Sequence, residues 1–177
     1  MFHQERERLL ATRTTHRESF TQLLGEHAVG LCELAMADQR NHKKGLMKTW
    51  VDIHKLNDEW AHLVTRNDHP EAEFTKITHR LVHLYSEAMA GYILDKASGP
   101  EWREKIGELV NTEQKFFDAL GKGHSGSKQW VAYTGSVIQM VNALLRYGED
   151  GKGFDIMATE CVKNGKLLGN WLDYSLK

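Results

Sequence analysis

The sequence is short of the residues that staple, break or anchor a chain. It holds two cysteines and two prolines in 177 residues. Two cysteines cannot form the framework of a disulfide-rich scaffold, and Cys32 and Cys161 lack metal-type spacing. They are expected to be buried reduced thiols, with a single bridge as the alternative. Long apolar runs are also missing, so no membrane span is expected. The start, MFHQERERLL, is charged and has no apolar stretch of signal-peptide length, which favours a soluble, cytoplasmic protein. Charge of one sign is not in excess. Lys plus Arg number 23 against 24 Asp plus Glu, a formal net charge of −1, so nothing global calls for nucleic acid as a partner. GxSxG, P-loop, GxGxxG and CxxC patterns do not occur.

What is present is helical periodicity. Phe74, Ile77, Leu81, Tyr85, Ala88 and Tyr92 recur every three or four positions, and Trp102, Ile106, Leu109, Phe116 and Leu120 do the same. Pro70 and Pro100 follow turn-like runs and precede such patterns, a placement that suits the first turn of a helix. Glycine-rich breaks at 121–126 and 148–153 separate the later segments. The expected fold is an all-α, single-domain bundle over 1–177. About six helices span 16–38, 45–66, 71–95, 101–120, 127–148 and 154–175, with mostly antiparallel neighbours. Residues 1–15 are expected to be a short helix or a flexible arm. Thr15 to Glu18 fits a capping box for the first long helix. Gly25 and Gly30 weaken that helix, and the QWVAYTGSVI segment has some strand character.

Histidine is abundant, with 10 residues. His54, Asp58 and His62 lie four apart on the second long helix, and His79, His83 and Glu87 lie four apart on the third. Each trio could direct three ligands one way, and imidazole with carboxylate suits iron or zinc. The order resembles hemerythrin, a bundle that holds two irons. In that comparison His16 or His27 would come first, His54 with Asp58 second, and His79 with His83 third. The chain departs from the pattern where Asp58 stands for a glutamate. It departs again where Gln129 follows His124 in place of an aspartate. Glu59 and His62 also match the Glu-x-x-His element of ferritin-like proteins, once. Advancing about 100° per residue, both trios fall toward the polar sides of their helices. A solvated face is therefore the preferred reading, and no cofactor is expected, with iron or zinc as the alternative.

The same phase argument selects another set. His16 and His27 lie in the stripe of Phe20, Leu23, Leu31 and Leu34. Asn57 sits between Ile53 and Trp60, and Tyr85 is central on its helix. Glu113 lies among Leu109, Val110 and Phe116, while Glu160 and Asn164 share a face with Ile156, Leu168 and Trp171. A carboxylate or imidazole inside an apolar stripe must be paired, neutralised or bound to something. These seven are the ligand-pocket candidates; a structural hydrogen-bond network and a haem with His27 as axial ligand are the competing readings. The basic cluster of Arg40, His42, Lys43, Lys44 and Lys48 reads as a hydrated loop. The functional expectation is a non-enzymatic bundle that binds a partner chain, a second copy of itself or a small apolar ligand. A metal-binding bundle with a redox or oxygen-related role is the alternative.

Overall fold

A computed structural model describes residues 1–12, 19–66, 72–95, 100–120 and 125–175. Among them are seven helices and no strand: α1 (Phe2–Ala11), α2 (Phe20–Gln39), α3 (Lys43–Arg66), α4 (Ala72–Asp95), α5 (Pro100–Leu120), α6 (Ser125–Tyr147) and α7 (Lys152–Ser175). The short charged segment at the start is thus a helix. The expected capping box at Thr15 lies outside the described residues. As described, α2 begins at Phe20, and its N-cap is Ser19, whose side chain accepts from Gln22 N. The segment with strand character is helical within α6. Its Trp130, Tyr133, Val137, Met140 and Leu144 are all buried, and that three-and-four spacing outweighs β propensity.

Helix α2 is the axis of the bundle. Most of its residues are buried, including Phe20, Leu23, Leu24, Ala28, Leu31, Cys32 and Leu34. It runs antiparallel to α7, as the approach of Gly169 to Phe20 and of Gly165 to Leu24 and Ala28 shows. It runs antiparallel to α3 as well, Phe20 meeting Trp60 while Gly30 faces Ile53. Helix α6 lies parallel to it, pairing His27 with Tyr133 and Gln39 with Leu144. Helices α4 and α5 pack antiparallel, with ion pairs Arg80–Glu108 and Lys105–Glu87 along their seam. The turn from α2 to α3 is a Schellman closure. Asn41 takes the left-handed conformation at φ 52°, and His42 N–H bonds Ala37 O at 2.9 Å.

Glycine and aspartate on α7 determine how closely α2 and α1 seat. A Cβ at Gly165 would lie 2.7 Å from Leu24 O, and one at Gly169 would collide with Phe20 O. Side chains at these positions would hold the two backbones apart. Asp173 then reaches the open start of α2, accepting from Phe20 N at 2.7 Å, Thr21 N at 3.0 Å and Thr21 Oγ1 at 2.6 Å. Helix N-termini leave such donors without intrahelical partners. Asp155, at the start of α7, does the same for α1, accepting from Phe2 N at 2.9 Å. That bond holds the Asp155 carboxyl below the usual carboxylate range.

Candidate functional site

Three of the seven inward polar candidates meet in the core. His27 on α2 is 3 % exposed. Its Nδ1 lies 2.8 Å from Tyr133 Oη on α6, and its Nε2 lies 3.1 Å from Ser86 Oγ on α4. Ser86 donates onward to Asn57 Oδ1 on α3 at 3.0 Å. Tyr85, next to Ser86 in sequence, stacks on Tyr133 with ring centroids 5.6 Å apart and accepts from Thr134 Oγ1 at 3.3 Å. Four helices thus contribute to one hydrogen-bonded chain, set among Phe20, Trp60 and Trp130.

Burial governs the electrostatics here. It pushes the His27 imidazole down from 6.5 to about 4, so the ring is neutral at neutral pH. It pushes the Tyr85 and Tyr133 hydroxyls well up, with the nearby Glu113 charge adding to the effect on Tyr85. Cys32 and Cys161 are free, fully buried and adjacent across α2 and α7. Desolvation first, then the contact with Cys161, raises the Cys32 thiol. Neither a charged acid–base pair nor an activated nucleophile is assembled among these groups.

The remaining candidates stand apart. His16 lies outside the described residues. Glu113 is half-buried on α5, close enough to Tyr85 to be felt there. Glu160 keeps a side chain 44 % exposed and pairs with Lys163 at 3.5 Å, one turn from the half-buried Asn164. Both sit at the rim of the α7 core face, and Glu160 is long enough for its carboxylate to reach out to water beside an apolar stripe.

The histidine trios are not gathered into the bundle. Asp58 and His62 are exposed, and the His79 side chain lies outside the described set. Glu87 pairs with Lys105. His54 stacks edge-on against Trp50 at 4.4 Å, and its ring comes 5.9 Å from that of His83. Among the described residues, no group of three or more His, Cys, Asp or Glu side chains is placed to hold a metal ion.

A second feature was not anticipated from sequence. A cleft of about 430 Å³ opens between α1, α2 and α3. Buried Leu9, Val29, Ile53 and Leu56 form its apolar base. Gly30 lets Ile53 approach α2, since a Cβ there would lie 3.1 Å from Ile53. Glu26 lines the cleft, only 7 % exposed, and accepts from Gln22 Nε2 at 2.8 Å. Arg6 and Glu33 close one wall with a 2.6 Å ion pair. Glu26 directly precedes His27 in sequence, so the two point to neighbouring sectors of α2, one to the cleft and one to the core.

No family model matches the chain, and comparison with curated proteins and with solved structures also gave no match.

Proposed function

We propose that this protein is a non-enzymatic helical bundle that binds a small, mainly apolar molecule with a cationic or hydrogen-bond-donating end, seated in the α1–α2–α3 cleft. The observation that carries this reading is the Glu26 carboxylate, almost wholly buried at the side of a cleft with an apolar base. The cleft has the volume of a small-molecule pocket, which typically combines apolar lining with a few polar groups that fix orientation. A carboxylate in such a place accepts N–H or O–H donors and discriminates against other anions. One apolar side chain of a partner protein, or of a second copy, would use the same seat; light scattering on the ligand-free protein separates self-association from the other cases.

The test is a thermal-shift and NMR screen of matched alkyl amines, alcohols and hydrocarbons against the wild type, Glu26→Gln and Thr49→Trp. Amines and alcohols are expected to raise the melting temperature and shift α1–α3 resonances. Glu26→Gln should weaken the amines about tenfold, the scale of one charge-assisted hydrogen bond. Thr49→Trp, which places a large ring in the cleft, should abolish binding while leaving the helical circular dichroism unchanged. Equal binding to Thr49→Trp, or no response from the wild type, would refute the proposal.

Transition-metal binding is the second reading, supported by the approach of His54 and His83 across α3 and α4. Two imidazoles with water completing the shell suit zinc better than the oxygen chemistry of a di-iron bundle. Zinc titration of tag-free protein, with His83→Ala as control, checks it; absence of saturable uptake removes it.

A further inference from the structure

The hydrogen-bonded chain in the core has a direction. Ser86 spends its one proton on Asn57 Oδ1, so its 3.1 Å contact with His27 requires the ring to donate from Nε2. In the neutral ring Nδ1 is then an acceptor, and it receives the Tyr133 hydroxyl at 2.8 Å. Protons therefore run from Tyr133 to His27 to Ser86 to Asn57, and the chain ends on the Asn57 amide. Asn57 Nδ2 is buried and has no hydrogen-bond partner. Trp60 Nε1, three residues on, is also buried without one. Residues three apart share a helix face, and both side chains are almost wholly inaccessible.

Both of these groups can only donate. Two desolvated N–H groups on one face are costly unless something accepts from them. A cation would be repelled by them, and an anion would have to be stripped of water in a setting with no cationic partner on the chain described. Aromatic rings border the site, with Phe20 and Trp130 each 5.8 Å from Trp60.

We propose that the core between α2, α3, α4 and α6 is a binding site for one neutral acceptor oxygen that bridges Asn57 Nδ2 and Trp60 Nε1. That oxygen belongs to an internal water or to the carbonyl of a small apolar guest. The site is separate from the cleft, and the variants that probe the two differ.

NMR on the full chain distinguishes the two sources. Cross-relaxation between the Trp60 indole proton and a long-lived water identifies the water. For a guest, cyclohexanone is the probe and methylenecyclohexane its oxygen-free match. The ketone should shift the Trp60 indole and Asn57 amide signals in a saturable way, and the hydrocarbon should not. Trp60→Phe should weaken the ketone about fivefold, the worth of one neutral hydrogen bond. Should that variant fail to fold, the wild-type measurements still decide. Wild-type protein showing neither a water contact nor a ketone-specific shift would overturn the proposal.

Discussion

Helix α2 presents two unlike interfaces. Toward α7 it meets small residues and backbone: Gly165, Gly169, Ala158 and Cys161 are buried there, and the carbonyls of Phe20 and Leu24 face glycine Cα atoms. Toward α3, α4 and α6 it meets aromatic rings joined by a polar chain through His27. The first interface is specified by the absence of side chains, so it tolerates no added volume. The second is specified by hydrogen bonds whose donors and acceptors must match, so it is sensitive to protonation. Close packing makes a helix pair rigid, whereas a desolvated polar chain makes its neighbour dependent on pH.

The sharpest break of that contrast is Gly169→Leu. The added side chain has no space against Phe20 and must displace α7 from α2, which should cost more than about 3 kcal/mol in urea unfolding. Lowering the pH attacks the other interface. The unfolded chain protonates His27 below its ordinary 6.5, while the folded chain does so only near 4. Between those values the unfolded state binds more protons, so stability falls as pH drops through that window and levels off below it. The contribution of this group is about 3 kcal/mol. Denaturation of wild type and His27→Gln from pH 7 to 3.5 checks this, and the variant should lose that part of the dependence. Asp173→Ala leaves the first-turn amides of α2 without their acceptor and should cost about 1–2 kcal/mol. Glu160→Ala, at the rim, should stay within about 0.5 kcal/mol of wild type. A large loss there would show that the rim and core are coupled.

The candidate site was legible where helical phase is unambiguous. His27, Asn57 and Tyr85 each have apolar neighbours on both sides of the stripe, and all three are buried. Glu113, Glu160 and Asn164 are half-buried at stripe edges, where a small rotation of the helix or a long side chain decides between core and water. Ser86 and Tyr133 were missed, although Tyr133 falls in register with Trp130, Val137 and Met140, a signal masked by the β propensity of that segment. Glu26 was missed because nothing in its own helix says that α1 and α3 cover it.

Apolar periodicity, Pro100 in the first turn of α5 and glycine-rich breaks determined the helices α2 to α7 within a few residues, because those signals act over one or two turns of a single chain segment; Pro70 lies outside the described residues. Tertiary structure alone decided which helices exchange hydrogen bonds. Asp173 caps a helix 152 residues away, and His27 joins residues 59 and 106 positions distant. Such partners are fixed by the approach of backbones, and in this bundle that approach is set by where α7 has no side chains.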